Sequence, residues 1–279
     1  MDLTTAALML VAGLLHACWH GIVKTRGGLS TLAGMGLVST ALSSPLLFFV
    51  QIPPWQVWPI LALSVVLHAL YKASLALAYE QGDLSRAYPL ARGLVPIFSA
   101  VLSYVVLSQI PNVGQIAGIL TVSAGVLMLT FERIAGLINP RLALGAFGAG
   151  SMVAGYSVVD AYGTRAGAGW ASFTVWLIIL DSLVFLSVAR AIRGPELWCE
   201  FGDSKWRTAA AGLLGVTSFA IFIWALSRHP VAVVVAFREC SILFATMIGL
   251  LIFKEPVSAW RLTAVASIAA GLFLVAAWR

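Results

Sequence analysis

Two arginines sit where an arginine is costly. Arg92 and Arg238 each lie about eight residues inside a long apolar run, roughly 12 Å from its start at the helical rise of 1.5 Å per residue. At that depth a charged side chain needs a partner or a ligand. A guanidinium fork matches the paired oxygens of a carboxylate, phosphate or phosphonate. The alternatives are a structural ion pair with Glu239, Asp160 or Asp181, or a cap on the carbonyls of a broken helix. Around Arg92, the residues Ser85, Pro89, Pro96, Ser99 and Ser103 repeat with it at 4-3-4-3-4 spacing, which places them on one helix face. The matching stripe through Arg238 is Val231, Val235, Ile242, Ala245 and Gly249. It is far less polar, so a cavity between the two stripes would have unlike walls.

Other ionisable groups accompany them. Glu239 follows Arg238 directly, and adjacent helical residues do not face each other, so Glu239 needs a partner elsewhere or carries a proton. Asp160 shares a face with Ser157 and Thr164, close to Tyr156; it balances a ligand's positive charge, carries a proton, or pairs with Arg165. His16, His20 and Lys24 recur every fourth residue with Trp19 beside them. That spacing could hold a metal between two imidazoles, but no third ligand stands out and no cofactor is expected. A cavity-facing polar stripe and hydrogen bonding between helices are the other readings. His68, Tyr71 and Lys72 fall within one turn, and Tyr71, Tyr88, Tyr156 and Trp19 supply aromatic lining. Asp181 has no polar stripe around it and reads as structural.

The elements that position these groups follow from composition. Of 279 residues, 61% are hydrophobic and 10% charged, with a mean hydropathy of +0.97. A soluble domain carries about a quarter charged residues, so this chain is expected to be an all-α integral membrane protein. Ten apolar runs lie at about 3–24, 29–50, 56–79, 84–108, 112–131, 142–163, 170–190, 207–227, 231–253 and 257–278, each near the length of about 20 residues that a crossing takes. The loops are too short for a soluble catalytic or nucleic-acid-binding domain, and no phosphate-cradling G-x-x-x-x-G-K-[ST] occurs. The three cysteines are scattered and form no disulfide or metal framework. Gly114-x-x-x-Gly118 and the set Ala266, Ala269 and Ala270 look like close-packing surfaces, between halves or between protomers.

A weak internal repeat organises the runs. Shifted by 146 residues, Arg92 falls on Arg238, Phe98 on Phe244, Ala124-Gly125 on Ala270-Gly271 and Gln109 on Glu255. Five runs per repeat is odd, so the two repeats are expected in opposite orientations, an arrangement that places a site at the midplane between them. With the N-terminus outside, the cytoplasmic flanks hold eleven Lys and Arg and the other side three, which favours both termini outside.

The segment Ala78 to Gly93 (AYEQGDLSRAYPLARG), together with Lys254-Glu255-Pro256, resembles the drug/metabolite transporter superfamily, and within it the ten-helix EamA-type permeases. The departures are Gln109 in place of the first-half glutamate and Lys254 where glycine usually precedes the second. The resemblance implies ten transmembrane helices as two inverted five-helix repeats, residues 1–139 and 140–279, with spans one to four and six to nine around a central pathway and spans five and ten bracing it. It also implies cytoplasmic termini, against the loop charges. Tyr156 to Arg165 (YSVVDAYGTR) is similar to permeases linked with phosphonate use.

The resulting expectation is a multi-pass transporter of the bacterial inner membrane, monomeric or homodimeric, surrounded by lipid and binding no nucleic acid. Its substrate is a small polar or zwitterionic metabolite such as an amino acid or aminophosphonate, moved by alternating access, with or without protons. Arg92 and Arg238 bind the anionic group. Tyr71, Lys72, Tyr88, Tyr156, Trp19, His16, His20 and His68 line the site. Glu239 or Asp160 supplies counter-charge or proton coupling. The rivals are an exporter of lipophilic compounds, a membrane enzyme acting on lipid head groups through His16, His20 and Asp160, and a non-transporting scaffold.

Overall fold

An apolar run in hydrocarbon can satisfy its backbone only within itself, so it coils. In the computed structural model each of the ten runs is mostly helical over its described residues, and those residues include no strand. The structure describes residues 1–24, 29–80, 84–133, 140–195, 197, 205–251, 254 and 258–278; the side chains of 24, 29, 73, 75–80, 84–89, 130–133, 140–143 and 146 lie outside that description. The helices are α1 (Leu3–Lys24), α2 (Leu29–Ser43), α3 (Trp58–Glu80), α4 (Leu84–Leu107), α5 (Val113–Arg133), α6 (Pro140–Gly163), α7 (Trp170–Arg193), α8 (Lys205–Arg228), α9 (Val231–Arg238), α10 (Cys240–Leu251) and α11 (Ala259–Ala277). Among the described residues, seven stretches are long and apolar enough to cross a membrane, and Val113–Leu129 is a shorter apolar helix. The protein is an all-α, multi-pass membrane protein.

Local chemistry sets the ends. Gly167 at φ +103° and Gly169 at φ +71° turn the chain from α6 into α7. Ser258 caps α11 by accepting the Arg261 backbone N–H at 3.0 Å. Pro230 precedes α9, whose residues Val231–Phe237 are all buried. A helix apolar on every side belongs in the middle of a bundle, and α9 sits there. The ninth run is not one continuous helix. It is interrupted at Glu239, whose N–H bonds the Ala236 carbonyl at 3.1 Å and whose carbonyl takes the Ile242 N–H at 2.9 Å, so the winding tightens at the residue beside Arg238.

The packing exchanges partners between the ends of the chain. α3 and α4 both pack on α6; α8, α9 and α10 pack on α1; α2 packs on α7, and α5 on α11. The shift of 146 residues converts the first set into the second. It also relates Ser108, at φ +53° after α4, to Lys254, at φ +51° after α10. An L-residue in that left-handed region costs about 1–2 kcal/mol, against about 0.5–1 kcal/mol for the greater freedom glycine loses on folding. Lys254→Gly is therefore expected to gain several tenths of a kcal/mol up to about 1, a rise in the melting midpoint of about 1–3 °C in a detergent thermal scan, and Lys254→Val to lower it.

α5 and α11 meet through glycine. A Cβ on Gly118 would lie 2.8 Å from the Gly271 carbonyl oxygen, one on Gly271 2.7 Å from the Val122 nitrogen, and one on Gly125 2.8 Å from the Ala264 oxygen. Gly114 and Gly118 do serve close packing, and within this chain. The small residues Ala266, Ala269 and Ala270 are not part of this seam: they are exposed, while Ala264, Ile268, Gly271 and Val275 form the contact face within the chain. Trp260 fixes one end of the seam by donating its indole N–H to the Met128 carbonyl at 2.7 Å, and Gln115 the other by donating to the Trp278 carbonyl at 3.2 Å.

Candidate functional site

α1, α2, α3, α6, α7, α8 and the end of α9 enclose a cavity of about 160 Å³. From α1 come His16, Trp19 and His20, which helical spacing places on one face. Trp19 donates its indole N–H to His16 Nδ1 at 3.2 Å and stacks on His20 with ring centroids 3.7 Å apart. α3 supplies His68, Tyr71 and Lys72. His68 stacks on Tyr156 of α6 at 3.9 Å, and Tyr71 lies 6.0 Å from the same ring. Phe219 of α8 closes edge-on against His68 at 5.4 Å.

Arg238 reaches the wall from the last turn of α9. Its guanidinium donates to the Tyr156 hydroxyl at 3.4 Å and lies over the Phe222 ring at 4.3 Å. The break after α9 places this head group at the cavity, and the aromatic face of Phe222 offsets part of its burial by cation–π attraction. Arg92 goes elsewhere. It is 3% exposed, is not among the described residues lining the cavity, and pairs with Glu239, Nε to Oε2 at 3.2 Å. A second donor of Arg92, Nη2, reaches Ser241 Oγ at 3.4 Å. The partner that Glu239 requires is thus Arg92, the first of the alternatives open to that arginine.

Asp160 is fully buried beside the cavity. Its Oδ2 lies 3.1 Å from His68 Nε2, and Ser64 donates to its Oδ1. Arg165 does not pair with it; Arg165 donates instead to the carbonyls of Leu226 at 2.6 Å and His229 at 2.8 Å. Asp181 is in the cavity wall, which its apolar sequence context gave no sign of, and pairs with Lys72. The spanning ion pairs described share one pattern: Arg92, Lys72 and His68 come from the first half of the chain, and Glu239, Asp181 and Asp160 from the second. Among the described lining residues, the formal charges of Lys72 and Asp181 offset each other, leaving Arg238 as the net charge facing the space. The side chains of Tyr88 and Lys24 lie outside the described residues.

One end of the bundle is tied by polar contacts. Asp2 accepts the Thr5 backbone N–H at 2.9 Å and the Thr5 hydroxyl at 2.7 Å, and His229 Nε2 lies 3.0 Å from both Asp2 Oδ2 and Thr5 Oγ1. These Thr5 donors bring the Asp2 carboxyl down to about 2. Burial lowers His229, with Asp2 acting against it. Gln109, where the resemblance anticipated a glutamate, accepts the Val231 N–H at 2.9 Å and so caps the start of α9.

Residues 2–131 match the EamA-like transporter family. No curated protein matches the chain. A solved structure titled only "Crystal structure of protein" superposes with a TM-score of 0.78 at 17% identity, covering 98% of this chain and 96% of that one. At that identity the likeness shows the fold alone. The match over residues 2–131 places that part of the chain with the EamA-like transporters of the drug/metabolite transporter superfamily.

Proposed function

We propose that the protein is a secondary transporter of the bacterial inner membrane for a compact metabolite with an anionic group, and that Arg238 binds that group. The observation that carries this reading is the guanidinium of Arg238 in the cavity wall, held by Tyr156 and Phe222 and without a carboxylate of its own in that wall. Volume sets the size. A cavity of about 150 Å³ accommodates benzene, so about 160 Å³ suits a ligand of roughly six heavy atoms. Alanine and aminomethylphosphonate are of that size. Trp19, Tyr71 and Tyr156 shape the walls, and His16, His20 and His68 offer ring-nitrogen donors and acceptors. The two halves, 1–139 and 140–279, rock around this site to alternate its access. Asp160 with His68 is the proton-carrying pair, because His68 stacks on the Tyr156 ring whose hydroxyl holds Arg238.

The test is ligand stabilisation of purified protein in detergent, with wild type compared with Arg238→Gln. A ligand at 100 times its dissociation constant adds about 2.7 kcal/mol to the folded state. Alanine or aminomethylphosphonate is expected to stabilise wild type and not the variant, and uptake into proteoliposomes then gives the direction of movement. Stabilisation by lipophilic cations alone, equal in both proteins, would replace this reading with export of lipophilic compounds through the same aromatic walls.

A further inference from the structure

Among the described residues, Asp181 is the one carboxylate in the cavity wall. It is 8% exposed, its Oδ2 takes the Lys72 ammonium, and its Oδ1 has no hydrogen-bond partner. A buried carboxylate oxygen without a donor is an unfavourable state that a ligand's N–H relieves. Its partner is held more loosely. The Lys72 side chain is 27% exposed against 11% for Asp181, it has a flexible four-carbon stem, and the Phe185 ring, 5.4 Å from Nζ, offers the ammonium another favourable surface. The pair is a fixed anion with a movable cation.

We propose that Asp181 is the ammonium subsite of this cavity, and that Lys72 fills it until a ligand's primary amine displaces the lysine. This rests on Arg238 as the anion anchor and completes it: one wall then offers a guanidinium for the oxyanion and a carboxylate for the amine. The ligand class is a compact zwitterion, an amino carboxylate or amino phosphonate. Displacement has a mechanical result. Lys72 is on α3 and Asp181 on α7, and these helices pack together, so filling the site undoes a tie between the first and second halves of the chain. An anion with no amine would occupy the Arg238 side and leave that tie in place.

The experiment titrates matched pairs, alanine against propionate and aminomethylphosphonate against methylphosphonate, on the full chain in detergent. Wild type is expected to prefer the amine of each pair by about 10- to 100-fold, the contribution of one hydrogen bond between charged groups. Asp181→Asn should abolish the preference and keep the binding of propionate and methylphosphonate. Lys72→Gln should tighten the amines. The double variant Lys72→Gln/Asp181→Asn leaves neither partner as an unpaired charge, so it preserves the test where a single variant fails to fold, and it too should show no preference. A preference that persists in the double variant overturns the proposal. Arg238→Gln separates this from the underlying reading: it should weaken both members of each pair, and equal binding of propionate to wild type and Arg238→Gln would overturn the anion anchor whatever Asp181→Asn does to the ratio.

Discussion

Arg92→Ala and Glu239→Ala are each expected to destabilise the protein by about 3–5 kcal/mol, the effect of removing one member of a buried ion pair. The two side chains are 4% and 0% exposed and meet at 3.2 Å, so either truncation takes a counter-ion from a charge that water does not reach. The location adds to the effect. Glu239 stands at the break between α9 and α10, and Arg92 joins that break to α4, the helix that packs on α6. A loss of the fully folded fraction in detergent, read by size exclusion and thermal unfolding, is the expected result for both single variants. Arg92→Met/Glu239→Gln should recover most of it, since replacing both members leaves no buried charge. An Arg92→Ala protein with unchanged melting and lost ligand binding would instead make Arg92 a ligand residue.

Gly271→Val is expected to be the next most disruptive change, and to act far from the cavity. In a bilayer no hydrophobic force pushes helices together, so adhesion depends on close packing itself. At Gly271 even a Cβ would approach the Val122 nitrogen to 2.7 Å and the Gly118 oxygen to 2.8 Å, and neither backbone atom can move without the whole helix. Forced overpacking of this kind costs about 1–3 kcal/mol, and valine at Gly118 should do the same from the other side. Melting should fall in both variants, while any ligand that stabilises wild type still adds its full shift. A selective loss of ligand response in Gly271→Val, without a fall in melting, would mean that α11 belongs to the transport pathway and does not merely brace it.

The apolar runs alone located most of the long helices to within a few residues, because length and hydrophobicity are the main conditions a bilayer imposes; they missed the early end of α2 and the break within the ninth run. Depth alone singled out Arg92 and Arg238 as residues needing partners. What the sequence could not separate was their fates. The register of α9 against α4 decides which arginine meets Glu239, and the break at Glu239 is made by tertiary contacts at a point with neither proline nor glycine. Asp181 escaped notice for a related reason. Its helical neighbours are apolar, and the lysine that gives it meaning lies 109 residues earlier, on α3. The alanines of the last run show the limit of composition alone: Ala266, Ala269 and Ala270 are small enough to pack closely, but within the chain Gly271 sets the contact face and they are exposed. Two arginines at matching depth looked alike in the sequence; one pairs with Glu239 and the other faces the cavity.

The division of spanning charges between the halves also dictates an order of events at the ribosome. The first half enters the membrane carrying His68, Lys72 and Arg92, and the acids that complement them arrive later, with Ser241 following Arg92 by 149 residues. At about 5–20 residues per second Arg92 spends roughly 7–30 seconds in or beside the bilayer before α9 and α10 exist. Until then the nascent half keeps its bases near water, lipid phosphate or the insertion machinery, and α4 cannot settle at its final depth. On this timing the ion pairs that join the halves form only after the second half has been made.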